Sequence, residues 1–353
     1  MTVWNSFSKG RTFLIAEMSG NHLQSFDHAV RIVEAAAESG ADAIKLQTFT
    51  ADSLTVDSRK EHFMIKGTQW DGQNLYELYK GTAMPWEWQP KLRDVAHKLG
   101  LCFFSTAFDA AGVDFLESIL APIQKIASFE NVDIPLIKAI ARTGKPVLLS
   151  TGMASEKEIA EAVRTLRQGG SGEICLLKCT SAYPAPFEEV NLRTMPHLAE
   201  TYECPVGISD HTIGSEVPVA AVALGAEVIE KHLCLRRDEG GPDSSFSMEP
   251  DEFAAMASQV RNVEKALGEI SFDLTPKQRE SAAYRRSLFV VANMDKGDLF
   301  TEDNLRSVRP GHGLHTRYHE RLLGTRVTQA VSKGTPLSWE MVAEDMRDSS
   351  DGD

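Results

Sequence analysis

The chain lacks an apolar run long enough to cross a bilayer, since charged residues make up 25% of it and interrupt every hydrophobic stretch. A spanning helix needs about 20 consecutive apolar residues, so membrane insertion is not expected. Basic charge is also scarce: 37 Lys and Arg stand against 50 Asp and Glu, a net charge of −13. That balance argues against a nucleic-acid partner, because neutralising phosphates takes basic patches. Small anions remain possible ligands, since a few lysines can make a positive pocket in a negative protein. The five cysteines (Cys102, Cys175, Cys179, Cys204, Cys234) form no CxxC pair. An odd, unpaired set points to reduced thiols and a cytoplasmic location rather than a disulfide frame. The opening MTVWNSFSKGRTFLIAEMS has no signal-peptide layout, its apolar run starting late and ending at Glu17. No GxGxxG opens the first helical pattern, which weakens a dinucleotide-binding reading.

What is present is a rhythm. Eight β-type runs fall within the first 235 residues: TFLIAEMS, AIKLQT, CFFSTA, QKIAS, PVLLST, ICLLKCT, PVGISDH and VIEKHL. Helical patterns separate most of them. DHAVRIVEAAAESG runs from Asp27, a candidate N-cap, to Gly40, a candidate stop. SEKEIAEAVRTLRQGG opens on Ser155 with Glu158 three residues later, the capping-box spacing. PDEFAAMASQVRNVEKALG is the longest candidate helix. Strands alternating with helices every roughly 20–30 residues specify a parallel sheet, and eight units favour a closed (β/α)8 TIM barrel. The segment 49–92 is too long for a simple crossover, and its aromatic-rich WDGQNLYELYKGTAMPWEW suggests an ordered excursion over the rim. The expected division is a barrel over 1–269, a linker over 270–285, a small domain over 286–345 and a disordered acidic tail over 346–353.

Barrel enzymes place their sites at the C-terminal ends of strands. Those ends carry Glu17, then Lys45 and Gln47, Thr106, Lys125 and Ser128, Ser150, Lys178 and Ser181, Ser209 and His211, and Glu230 and His232. Lysines in apolar strands are costly to bury without a counter-charge. Lys45 and Lys125, with the hydroxyls of Thr106, Ser128 and Ser150 between them, make a cradle for an anion bearing phosphate and carboxylate. The bland alternative pairs the lysines with Glu17 or Glu230. His211 and His232 end consecutive runs, so on neighbouring strands they can share a divalent metal and leave positions open for a substrate oxygen. Asp210 and Glu230 are candidates to orient the imidazoles; the bland alternative is two rim histidines bonded to backbone. Lys178 on the sixth run supports a rival, a Schiff-base lyase.

The motifs IAEMSGNH, GADAIKLQTFT, FFSTAFD, KIASFE, LLSTGMAS, LLKCTSAYPAP, GISDHT, EKHL, GPDSSFSMEP, RRSLFVVA and VRPGHG, taken together and in order, resemble the sialic acid synthase family. The SGNH variant and LYELYKGTAMPWEW are most similar to its pseudaminic branch, with the neuraminate and legionaminic branches as alternatives. The resemblance implies a barrel joined to a small antifreeze-like (SAF) domain in a domain-swapped homodimer. It implies a carbon–carbon bond-forming transferase that condenses phosphoenolpyruvate with an acylamino sugar, aided by a divalent metal, Mn2+ first, with Mg2+ or Co2+ possible. Carried onto this chain, the metal falls on His211 and His232, and phosphoenolpyruvate on Lys45, Thr106, Lys125, Ser128, Ser150 and Ser209; Gln47 and Ser181 are further substrate-binding candidates, Ser181 bearing on the sugar. Glu17 matches the acid/base position, Glu130, Tyr183 and Asp243 the sugar side, and Arg309 an arginine that reaches the partner's site. The family's usual NHNG is here NHLQ, and Ser181 and Lys178 replace an asparagine and a histidine common in the neuraminate branch.

Overall fold

A computed structural model describes residues 2–8, 10–67 and 70–343. Its first compact unit, Met1–Gly268, is a closed parallel barrel with its eight strands in sequence order. The strands are β1 Phe13–Glu17, β2 Ala43–Thr48, β3 Cys102–Ala107, β4 Gln124–Ile126, β5 Val147–Ser150, β6 Ile174–Cys179, β7 Val206–Asp210 and β8 Val228–His232. They coincide with the eight runs read from the sequence, and β8 closes on β1 with Glu17 opposite His232.

A helix packs behind each strand: Phe26–Glu38, Gln89–Lys98, Ala110–Ser118, Ile134–Ala141, Glu156–Gly169, Thr194–Tyr202, Glu216–Ala223 and Pro250–Leu267. Each buries an apolar stripe on the outer strand residues, as Ile32, Leu92, Leu116, Ile137 and Val163 do. The capping box of Ser155 and Glu158 forms as its spacing requires. The first helix begins earlier than expected: Ser25, not Asp27, is the N-cap, its hydroxyl accepting from the His28 N–H. Asp27 falls in the first turn, where its charge suits the helix dipole.

Strand alternation sorts the barrel interior from its jacket. Phe13, Ile15, Phe104, Leu148, Leu177 and Val228 point inward and form a separate core, closed at the N-terminal end by the fully buried Trp4 of helix Val3–Phe7. The barrel is therefore solid below, and only its upper layers are free for chemistry.

The excursion before the second jacket helix carries helix Leu75–Thr82, capped by the Asn74 side chain, which accepts from the N–H groups of Tyr76 and Glu77. The second compact unit, Glu269–Asp353, holds helix Pro276–Ala282 and an antiparallel pair, β9 Ser287–Val290 with β10 Leu305–Val308. Leu288, Val290, Phe300, Leu305, Leu322 and Val327 form its own core. The expected tail over 346–353 lies outside the described residues.

Candidate active site

Continuing the inward parity upward leaves apolar side chains behind. Above Ile15, Ala43, Phe104, Ile123, Leu148 and Val228, the next inward residues are Glu17, Lys45, Thr106, Lys125, Ser150 and Glu230. Lys45 and Lys125 are 3% and 1% exposed, so each ammonium must be satisfied inside the protein. Lys45 Nζ lies 2.8 Å from Glu17 Oε2 and 3.5 Å from Glu230 Oε1, and donates to Thr106 Oγ1 at 3.1 Å. The two carboxylates hold the Lys45 ammonium above its usual range against the opposing effect of burial.

One lysine between two carboxylates leaves a buried negative charge that a proton can cancel. Burial raises Glu17 to about 7, with the Glu230 charge adding to the effect and Lys45 opposing it. Glu230 goes the other way: burial pushes it up, but Lys125 and Lys45 together hold it below its ordinary value. Ser209 supports it with a hydroxyl bond of 3.1 Å.

Lys125 differs from Lys45. Its Nζ donates to Ser150 Oγ at 2.8 Å and to the Ile126 carbonyl at 2.9 Å, and among the described residues it forms no ion pair. Burial depresses it, with the Glu230 charge opposing. The paired-lysine reading therefore holds for Lys45, while Lys125 is a buried cation bonded to a hydroxyl and a carbonyl.

Between these strands, Ser181 Oγ donates to Ser128 Oγ at 2.9 Å. Gly152 makes that approach possible: it sits at φ +49, and a Cβ there would lie 2.5 Å from Ser128 Cβ. Asn131, which the sequence reading passed over, is buried and donates to the carbonyls of Ser128 at 2.9 Å and Thr151 at 2.7 Å, tying the ends of the fourth and fifth units together.

The imidazoles of His211 and His232 stand with ring centroids 5.3 Å apart, roughly edge to face. His211 Nδ1 lies 3.0 Å from the Thr180 carbonyl, to which it donates, leaving Nε2 free as a ligand. Burial keeps His232 neutral, its pKa far below the usual range, and its Nδ1 is buried with no hydrogen-bond partner. The His211 ring, oriented by the Thr180 carbonyl, and the His232 ring, with its orphaned nitrogen, fit a divalent cation. Among the described residues no third His, Cys, Asp or Glu completes a cluster, so water and substrate would have to supply the remaining ligands.

The expected orienters do not orient the histidines. Asp210 faces the jacket, where it pairs with Lys231 and accepts from Thr212, because it has the opposite parity to Ser209 and His211. Glu230 serves Ser209 and Lys45 instead. Lys178 also has jacket parity, opposite to Cys175, Leu177 and Cys179, and its Nζ donates to the Cys179 carbonyl at 3.0 Å. A Schiff-base nucleophile would have to point inward, and the inward residue here is Cys179, whose Sγ lies 4.0 Å from His211 Nδ1. Counting by twos from Leu177 would have found it.

Above this layer opens a cavity of about 510 Å3, with Gln47, Ser128 and His232 on its floor and Glu130, Tyr183 and Asp243 on its walls. Gln47 donates to Glu17 Oε1 and Ser19 Oγ at 3.0 Å each, and Ser19 in turn bonds Asp243. Burial raises Glu130 to about 7, and its Oε2 has no partner. Tyr183 stacks 4.4 Å from the His211 ring and 5.2 Å from Phe246, a second aromatic missed in the sequence, which also packs on His232. The excursion supplies an apolar wall, including Trp70, Leu75, Leu78 and Tyr79. Arg309 is exposed on the second unit.

Comparison with known proteins decides the lineage. The NeuB family model matches residues 32–271. The chain belongs to the NeuB family. A SAF domain matches residues 285–343. The pseudaminic acid synthase of Helicobacter pylori is 42% identical over 326 residues, covering 92% of this chain and 96% of its own. That of Campylobacter jejuni (serotype O:23/36) is 41% identical over 337 residues, covering 96% and 98%. Among solved structures, the N-acetylneuraminic acid (sialic acid) synthetase of Leptospira borgpetersenii superposes with a TM-score of 0.69 at 32% identity, covering 77% of this chain and 90% of that one. NeuB membership thus rests on the family match over residues 32–271 and on these relatives together. Among the described residues no helix is long and apolar enough to cross a membrane.

Proposed function

We propose that this NeuB-family chain condenses phosphoenolpyruvate with 2,4-diacetamido-2,4,6-trideoxy-L-altrose, releasing phosphate and a nine-carbon 2-keto sugar acid, as a pseudaminic acid synthase. The observation that carries the reading is Lys125, a buried ammonium partnered by a hydroxyl and a carbonyl, beside the paired imidazoles. A dianionic ligand there satisfies both the lysine and its hydroxyl neighbours. The apolar wall of the cavity suits a sugar with a methyl group at C6.

His211 and His232 would hold a divalent cation, Mn2+ first and Mg2+ or Co2+ as alternatives, which when bound polarises the aldehyde of the open-chain sugar. Lys45 and Lys125, with Thr106, Ser128, Ser150 and Ser209, bind the phosphate and carboxylate of phosphoenolpyruvate, and Ser181 stands toward the sugar. C3 of phosphoenolpyruvate attacks C1 of the sugar, forming the C–C bond as the carbonyl electrons move to oxygen, which takes a proton. Water adds at the cationic C2, and the tetrahedral intermediate loses phosphate by C–O cleavage to leave the ketone. Glu17, held at about 7, takes or gives the proton in these steps. Glu130, Tyr183 and Asp243 face the sugar, and Gln47 keeps Glu17 in place.

The assembly would be a cytoplasmic, domain-swapped homodimer, with Arg309 of one SAF domain reaching the other protomer's barrel. Phe129, Met153 and Phe187, each more than half exposed in the loops after β4, β5 and β6, give the barrel mouth an apolar rim that such a partner would cover. An 18O label in the bridging oxygen of phosphoenolpyruvate tests the reaction. Label recovered in phosphate, and lost turnover in His211→Ala and His232→Ala, are expected; label retained in the keto acid contradicts the mechanism.

A further inference from the structure

The loop after β1 has a backbone that its residues do not favour. Leu23 and Gln24 stand at φ +52 and +53, a left-handed conformation that costs residues carrying a Cβ and that glycine or asparagine adopts readily. Such strain persists only where surrounding contacts hold it. Here the contacts are specific. The Gln24 side-chain amide donates to the carbonyls of Gly81 and Ala83, each at 2.9 Å. The carbonyl between them, Thr82, accepts from His22 Nε2 at 3.1 Å. His22 Nδ1 accepts the Gln24 N–H at 3.1 Å, which fixes the ring proton on Nε2. Three successive carbonyls at the end of helix Leu75–Thr82 are thereby satisfied by two side chains from the barrel.

That helix needs holding. None of its residues is fully buried, so little apolar area anchors it, and its last carbonyls, beyond Tyr79, lie past the reach of its own N–H groups. Yet Leu75, Leu78, Tyr79 and Thr82 all line the cavity opposite Tyr183 and Asp243. Neither His22 nor Gln24 lines the cavity; His22 is buried, edge-on to Trp88.

We propose that His22 and Gln24 are positioning residues for the acceptor sugar: they clamp the end of helix Leu75–Thr82 and so set where the apolar wall meets the substrate. The clamp acts on the sugar side alone, because the lysine–hydroxyl cradle below it is built from the strands. The kinetic part of this inference rests on the proposed reaction; the structural part does not.

The test uses the full-length protein and three variants. Gln24→Asn keeps the left-handed backbone cheap but shortens the amide by one methylene. His22→Ala removes the Thr82 bond, and His22→Gln restores a donor at about the position of Nε2. Losing one or two such bonds should raise KM for the diacetamido-trideoxy-altrose about two- to tenfold. KM for phosphoenolpyruvate should stay within twofold, roughly the error of such measurements. His22→Gln should recover most of the His22→Ala effect. Hydrogen exchange should show faster amide exchange over residues 75–88 in Gln24→Asn and His22→Ala, with the barrel strands unchanged. If both KM values rise together, or if exchange over 75–88 is unaltered, the clamp is refuted. If the wild type does not turn over this sugar at all, the proposed reaction fails, while the exchange result still decides the clamp.

Discussion

Replacing Lys125 by methionine separates a structural lysine from one kept for a ligand. The side chain is 1% exposed, and the described residues offer its charge no carboxylate within ion-pair distance. Methionine has nearly the same length and no charge, so the substitution removes a buried cation, frees the Ser150 hydroxyl and the Ile126 carbonyl to find other partners, and leaves Lys45 alone to offset Glu17 and Glu230. The folded protein should lose about 1–2 kcal/mol, because the shared Glu17–Glu230 site can take up a proton in place of the lost cation. Binding is another matter. A unit charge about 4 Å from a phosphate or carboxylate contributes about 4 kcal/mol at the effective dielectric of such sites, close to a thousandfold in affinity. Thermal unfolding with and without phosphoenolpyruvate reads both effects at once, because a ligand that binds only the native state raises Tm. The wild type should be stabilised by millimolar phosphoenolpyruvate, whereas Lys125→Met should show a near-native Tm that the ligand does not move. A variant that unfolds many degrees lower, yet is still stabilised by phosphoenolpyruvate, would mean that Lys125 holds the barrel together and not the substrate.

Glu130 should give stability a pH dependence. Its folded pKa of about 7 lies above its ordinary 4.5, so the stability it contributes is complete below pH 4.5 and is lost as pH rises through 7. The loss is at most about 3 kcal/mol, reduced by the water that reaches its partly open side. Urea unfolding from pH 5 to 8 should show Glu130→Gln gaining on the wild type as pH rises, and parallel curves would dismiss the shift. Gly152→Ala should cost about 2–4 kcal/mol, from a left-handed residue plus overpacking on Ser128, and should weaken phosphoenolpyruvate as well; calorimetry and substrate kinetics check it. Lys178→Ala should keep its activity and resist borohydride trapping with pyruvate, and irreversible inactivation of the wild type under those conditions would restore the Schiff-base reading.

The barrel and most of the site could be read from the chain because both depend on a period of two. Each run alternates between jacket and interior, so Lys45 with Gln47, Ser209 with His211, and Glu230 with His232 fall on one side without any knowledge of the fold. The same rule, applied without exception, would have placed Asp210 and Lys178 in the jacket and Cys179 inside. Parity, not charge, decides which side of a strand a residue faces. Ser25 was missed because an aspartate two residues later looked like an equal cap, and only the bond to His28 separates them. The clamp of Gln24 on residues 81 and 83 had no local signal: it joins positions almost sixty apart, and the left-handed backbone that aims it belongs to residues that rarely adopt it. The apolar wall was legible as an aromatic-rich excursion but not as a surface facing Tyr183.

The most direct measurement compares acceptors. Phosphate release from phosphoenolpyruvate should be followed with Mn2+ and three sugars: the diacetamido-trideoxy-altrose, its legionaminic-type mannose counterpart, and N-acetylmannosamine. The apolar wall predicts that both trideoxy sugars outrank N-acetylmannosamine, and the greater likeness to pseudaminic acid synthases predicts the highest kcat/KM for the altrose sugar, with product formation abolished in His211→Ala and His232→Ala. Preference for N-acetylmannosamine or for the mannose counterpart, or phosphate release that survives loss of both histidines, would contradict the account.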